Sequence, residues 1–402
     1  MKLQIKNKYW FLLILFFLTA IFVAVRNYYM PELTIRLTEF PIKAYNNYVI
    51  FRESFWHIFN GKPLYQTYHP DYYDVFKYTP TFAVFFGIFA FLPDLVGLIL
   101  WNLLNAILPF YAFSQLIVFQ QDKKLFILIF ILLELVTSLM NSQSNGLLLG
   151  LMMLGISAFQ REQISKSVLF ILLTAFIKLF GVVLFALYLL KPHLIKKSIV
   201  YSIVIFSILF LLPLVFISWD YLLIQYEKMF LLLKKDSLTF VKFSVNGWIY
   251  NWFGFLPNKT YLLIFGLVAQ LVPIYFIRLK TLNNDILLKY AASWVVWTVI
   301  FNHMAESATF VIAVGGISLY LLSLKKWNWV HYILIFLTVA FTELGPTDIY
   351  PVSLRFWIVE TAQLKVFPCI LFWILMTVEN INGEINYNKN GDTNCVATKA
   401  QN

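Results

Sequence analysis

Charge is the scarcest ingredient of this chain. Only 13% of its 402 residues are Asp, Glu, Lys or Arg, where an ordinary soluble domain carries roughly a quarter. That is too little to clothe a water-facing surface. Cysteine is nearly absent too, and Cys369 in an apolar run with Cys395 in a polar tail makes no disulfide framework. The alternating ten-residue segments of a membrane β-barrel are missing. So are a phosphate loop, a dinucleotide fingerprint and a nucleophile elbow, which argues against a nucleotide site in a soluble lobe. The first apolar segment is followed by Arg26-Asn27-Tyr28-Tyr29, with no small-residue cleavage signal, and reads as a retained helix.

What the chain has instead is apolar sequence: 60% of residues, 19% aromatic, mean hydropathy +0.75. Runs such as 125–133, 168–190 and 198–217 reach or approach the length needed to cross a bilayer, roughly 20 residues as helix. The fold class expected is all-α, polytopic, with about twelve spans near 9–25, 79–92, 95–119, 125–141, 145–160, 167–190, 198–217, 260–278, 287–303, 308–324, 328–342 and 362–378. The pieces at 79–92 and 145–160 are short enough to be half-spanning. The net charge of +11 sits in short loops (Lys191, Lys196 and Lys197; Arg278, Lys280 and Lys289; Lys325 and Lys326), as topology determinants do, so no nucleic-acid partner is expected. With the amino terminus cytoplasmic these loops share the inner side, and only Lys123 and Lys124 face the wrong way.

Three long segments then lie outside: 26–78, 218–259 and 343–361. In the first, Tyr48, Phe51, Phe55 and Ile58 recur at helical spacing while Asn46, Glu53 and His57 line another face, predicting an amphipathic helix in the membrane interface. Asn60-Gly61-Lys62-Pro63 ends it, and the aromatics from Tyr65 to Tyr78 read as interfacial anchors or sugar-stacking faces. Residues 1–379 form the membrane domain, and 380–402 a polar tail expected to be disordered.

Polar side chains inside spans need a reason. Lys178 falls in the middle of 167–190, far from any basic loop, and reads as an anion-binding group or as a structural partner of Glu134 or a carbonyl. Asn141-Ser142-Gln143-Ser144-Asn145-Gly146 interrupts two apolar runs, either as a polar helix–helix turn or as a headgroup contact. His303 and Glu306, one helical turn apart, suit a phosphate or sugar hydroxyl better than a metal, since no third ligand follows. No metal or cofactor is expected. An activated substrate, for an enzyme of this kind, arrives within the membrane as a lipid-linked species.

These residues resemble the family-87 membrane glycosyltransferases, the polyprenol-phosphate-mannose-dependent mannosyltransferase-like group with the GT-C fold. The resemblance covers about 9–325 and rests on the outer helix before Gly61-Lys62-Pro63-Leu64-Tyr65, then Phe76-Lys77-Tyr78-Thr79-Pro80, Trp101, Gln143-Ser144-Asn145, Lys178, and more loosely Ser244-Val245-Asn246-Gly247 and His303. It implies transfer of a hexose, mannose by the family's own pattern, from a polyprenyl-phosphate-linked donor to a glycan or glycolipid acceptor at the outer face of the cell (inner) membrane. Substrate contacts are expected from Lys178, His303, Gln143, Asn145, Lys77 and Tyr78. The Asp that the family places near the start of the outer helix as general base is here Asn47, an amide that cannot accept a proton at neutral pH. Glu53 is the first substitute, with Asp71 and Asp74 behind it, and Asn47 would position the hydroxyl. A transporter or flippase, or a catalytically inactive relative, is the rival reading.

Overall fold

The computed structural model describes residues 2–32, 41–118, 120, 122–236 and 243–382. The tail expected to be disordered lies, from residue 383 on, outside these. Among the described residues the chain is all-helical: α1 (Lys2–Tyr29), α2 (Asn46–Phe59), the short pair α3 (Pro80–Phe85) and α4 (Gly87–Ala90), α5 (Asp94–Gln115), α6 (Lys124–Met140), α7 (Asn145–Gln160) and α8 (Ile164–Ile177). A 3₁₀ segment, Leu179–Leu190, follows α8. Then come α9 (Ile195–Leu211), α10 (Trp219–Asp236), α11 (Val245–Phe253), α12 (Lys259–Arg278), α13 (Asn284–Ile300), α14 (Phe310–Ser323), α15 (Trp329–Leu337), α16 (Val352–Phe356) and α17 (Phe367–Asn382). Asparagine sets several entries: Asn258, Asn283 and Asn328 each accept a backbone N–H of the first turn of α12, α13 and α15.

Burial sorts the helices. Every residue of α7 and α14 is buried, because both are apolar all round and sit at the bundle centre. In α9 Ser198 alone is buried, while Ile199, Ile203, Val204 and Ile208 are exposed, as are Tyr261, Ile264, Phe265 and Val268 of α12. Apolar surface on that scale belongs in lipid. Four helical segments among the described residues, Lys8–Tyr29, Asp94–Gln115, Pro192–Val215 and Lys259–Arg278, are long and apolar enough to cross a membrane. The other apolar helices have 10–17 residues, so the twelve expected spans match helices in position but not all in length.

Two of those expectations need correction. Segment 79–92 does not cross. Tyr48 of α2 donates to the carbonyl of Phe89 at 3.5 Å, Arg52 of α2 is paired with Asp94, and Phe51 of α2 meets Phe82, so α3–α4 stays against α2 from its start to its end. Segment 167–190 is not one span either. It breaks at Lys178, whose backbone is extended (φ −139°, ψ 143°), and reverses, so that Lys191 at its end meets Glu162 before its start, Nζ to Oε1 2.6 Å. Gly181 makes the reversal possible, since a Cβ there would collide with the Thr174 hydroxyl.

The two corrections together repair the charge pattern. One face gathers Asn27, donating to the Met140 carbonyl (2.7 Å), and Asn47, donating to that of Asn141 (2.9 Å). The opposite face gathers Gln120, donating to the Leu324 carbonyl (2.7 Å), Lys123 over the Trp327 ring (3.8 Å), Arg278 on the Leu189 carbonyl (3.0 Å) and Lys280 on that of Ile381 (3.1 Å). Lys123 and Lys124 thus join the other basic loops.

The outer helix is a further correction. α2 forms where expected but buries Tyr48, Val49, Ile50, Phe51, Phe55 and Ile58 against protein rather than lipid. Phe51 meets Tyr78, Phe82, Phe86 and Trp101 edge-on at centroid distances of 4.8–5.8 Å. Tyr72, Phe76 and Tyr78, read as anchors or stacking faces, are buried as well.

Candidate active site

The reversal at Lys178 places its ammonium 5.1 Å from the centroid of the Tyr78 ring. Thr79 ties the two segments together: its hydroxyl donates to the carbonyl of Phe176 and accepts the N–H of Phe82, capping α3 ahead of Pro80. Lys178 is therefore carried at the tip of a helical hairpin, not in mid-span.

Around it lies a cavity of about 740 Å³. Its polar wall is Asn47, Asp74, Lys77, Tyr78, Gln143, Lys178, Asp236, Asn302, His303 and Glu306; Phe176, Phe206, Phe210, Met229, Phe230 and Leu233 form an apolar wall. Six of the eight residues selected from sequence line it: Asn47, Lys77, Tyr78, Gln143, Lys178 and His303. Asn145 stands one step behind, with its Nδ2 2.7 Å from Gln143 Oε1 and 3.0 Å from the carbonyl of Ala308.

Glu53 is not in the lining. Its Oε1 accepts from Arg52 Nε and Nη2 (2.9 and 2.6 Å), and Arg52 also holds Asp94 at the start of α5. His57, one turn on from Glu53, is not its partner. His57 is stacked on Tyr68 at 3.8 Å between centroids, and burial, helped by Lys62, lowers its pKa to about 4. Asn46, thought to share their face, exchanges two hydrogen bonds with the backbone of Tyr73 (2.8 and 3.0 Å).

Three carboxylates do reach the cavity. Asp74 and Asp236 both lie 3.2 Å from Lys77 Nζ. Burial opposes the Lys77 charge, but the two flanking carboxylates outweigh it and raise the pKa above its ordinary value. Glu306 accepts from Gln143 Nε2 at 2.7 Å. It and His303 lie in a loop between α13 and a 3₁₀ turn at Ser307–Thr309, not on one helix face as their spacing suggested, yet both line the cavity. Asp236 gave no signal in the sequence, because its place in the cavity comes from the fold of α10 over the 74–78 loop. Glu134, the other candidate for pairing with Lys178, instead binds Lys365. Ser244 caps α11 by accepting the N–H of Gly247 at 3.2 Å.

The cavity has the makings of a site for a molecule with an anionic, hydroxyl-rich head and a long apolar body: a cation at a hairpin tip, amides and carboxylates near it, and an aromatic wall leading to α9. No curated protein matches the chain. The model of Glycosyltransferase family 87 matches residues 76–230, the stretch that supplies Lys77, Tyr78, Gln143, Lys178 and most of the apolar wall, so over that stretch this all-helical chain with membrane-length apolar helices is similar to that family, which supports a membrane glycosyltransferase.

Proposed function

We propose that the protein moves a hexose, by family resemblance mannose, from a polyprenyl-phosphate-linked donor to a hydroxyl of a glycan or glycolipid acceptor. The observation that carries this reading is the continuity of one cavity from Lys178 and His303 to Phe206, Phe210 and Phe230. A phosphate-linked sugar suits the first part and a prenyl chain the second. The acceptor oxygen attacks the anomeric carbon, and the bond from that carbon to the phosphate oxygen breaks with its electrons passing to the phosphate. Lys178 stabilises the charge that develops there, with His303 as second donor. Tyr78 and Gln143 offer hydrogen bonds to sugar hydroxyls, and Lys77 guards the rim between Asp74 and Asp236.

Orientation follows from charge. The basic face, with Lys123, Lys191, Lys196, Lys280 and Lys325, is assigned to the cytoplasm, together with the amino terminus. The cavity then opens at the outer side of the cell (inner) membrane.

Purified protein mixed with radiolabelled polyprenyl-phosphate-mannose tests the activity. Transfer or donor cleavage is expected, and Lys178→Met should reduce it by about 30- to 1,000-fold, the loss of about 2–4 kcal/mol in a desolvated site. Equal activity per folded molecule in Lys178→Met removes the lysine from the reaction. Inertness of the wild-type protein toward every lipid-phosphate sugar overturns the proposal.

A further inference from the structure

We infer that Tyr78 and Phe180 position the Lys178 ammonium by their ring faces, holding it for the departing phosphate without pairing it to an anion of the protein's own; this rests on the transfer reaction proposed above. A lysine ammonium is a point charge on a flexible four-carbon stem. In a largely apolar wall it ordinarily finds a carboxylate or a carbonyl. Among the described residues the Lys178 side chain makes no hydrogen bond and no ion pair, and its ammonium lies 5.1 Å from the Tyr78 centroid and 5.7 Å from that of Phe180. Both distances fall within the reach of cation–π attraction, about 6 Å.

Carboxylates are not scarce in this cavity. Lys77, next to Tyr78 in the chain, lies 3.2 Å from both Asp74 and Asp236. A carboxylate on Lys178 would have to be displaced by each incoming phosphate and would repel it meanwhile. A ring face attracts a cation through its quadrupole, carries no net charge and covers one side of the ammonium. The N–H groups on the other side stay open to phosphate oxygens. The same faces keep water off the covered side, which strengthens the charge felt by the phosphate.

Both rings are themselves fixed. Tyr78 is buried, stacked on Phe82 with centroids 4.8 Å apart and met edge-on by Phe51 at 4.8 Å. Tyr65 donates to the Tyr78 carbonyl at 2.8 Å, and Ser144 to its hydroxyl at 3.3 Å. Phe180 is tied to the hairpin tip: its N–H donates to the Lys178 carbonyl at 2.6 Å, and the Lys178 N–H donates to that of Thr174 at 2.8 Å. The ammonium is therefore placed before the donor arrives.

The experiment places phenylalanines carrying one, two and three ring fluorines at position 180, and at position 78 with Tyr78→Phe as the reference. Fluorine drains the negative face of the ring and barely alters its size, so packing is kept. With a polyprenyl-phosphate hexose donor, kcat should fall stepwise with each fluorine, by about 2- to 30-fold when the attraction is gone. KM should move little, because the charge that Lys178 meets develops in the transition state. The same series built on Lys178→Met, read over long incubations, should be flat. A rate unchanged or raised across the series overturns the inference. So does a fall that persists in Lys178→Met, since the rings then act through packing. A wild-type protein that uses no lipid-phosphate sugar overturns the transfer reading, and this inference with it; an active but fluorine-insensitive enzyme overturns this inference alone.

Discussion

Lys365 and Glu134 form an ion pair across 231 positions of sequence, with both side chains wholly buried and Nζ 2.8 and 3.0 Å from the two carboxylate oxygens. Lys365 also donates to the Thr342 carbonyl at 2.7 Å. The pair fastens α6 to the segment just before α17, so its loss should be structural. Lys365→Met leaves a buried carboxylate without its counter-charge, at about 3–5 kcal/mol, whereas Lys365→Met with Glu134→Leu should recover most of the loss. Thermal or denaturant stability in detergent measures both. Equal destabilisation in single and double variants would dispose of the pairing argument.

The hairpin tip gives a second test. Gly181→Ala forces a methyl group into the Thr174 hydroxyl and should cost about 1–3 kcal/mol by overpacking. Thr174→Ala in the same chain should relieve it. If Gly181→Ala alone is neutral by thermal unfolding, the reversal at Lys178 is not as tight as described.

Side assignment is testable with single cysteines at Gln66, Asp122 and Lys326 in a Cys395→Ser background, where Cys369 is buried. A membrane-impermeant thiol reagent applied to whole cells should label the first and spare the other two. Labelling at 122 together with 66 would restore the sequence-derived order in which 79–92 crosses the membrane.

His57 should make stability pH-dependent. Its folded pKa is lowered to about 4, against about 6.5 for the unfolded chain. Above pH 6.5 neither state binds the proton and stability is full. As pH falls from about 6.5 toward 4 the unfolded state binds it first, and stability declines. Among the described residues Nδ1 of His57 has no hydrogen-bond partner, so His57→Phe should fold, keep the stack on Tyr68 and flatten that part of the profile. An unchanged slope in His57→Phe would assign it to other groups.

Much of the helical layout was legible because hydropathy reports which residues avoid water. It does not report direction. The run 167–190 reads as one continuous apolar segment whether it crosses once or turns back, and the cue was Gly181, small where a tight return needs no side chain. The misplaced Lys123 and Lys124 were the other cue, since an exception to the charge rule marks a miscounted span. In the site, Lys178, Gln143 and His303 stood out as polar groups among apolar ones. Glu53 misled because a helix face tells nothing about Arg52, its immediate neighbour, or Asp94 across the bundle. Lys365 drew no notice, though a lysine at the start of the apolar stretch 362–378 carries the same warning as Lys178.

The wall of the cavity at Phe206 and Phe210 is a single helix thick, and the far side of α9 is exposed apolar surface. Whatever bathes that helix therefore borders the compartment of the proposed lipid-linked donor. Acyl chains and a prenyl tail are chemically alike, so occupancy of the aromatic half becomes a competition between solute and solvent. Concentration, for such an enzyme, is a two-dimensional quantity: the apparent KM for a lipid-linked sugar should track its mole fraction in the bilayer or micelle and stay constant when both are diluted together in buffer.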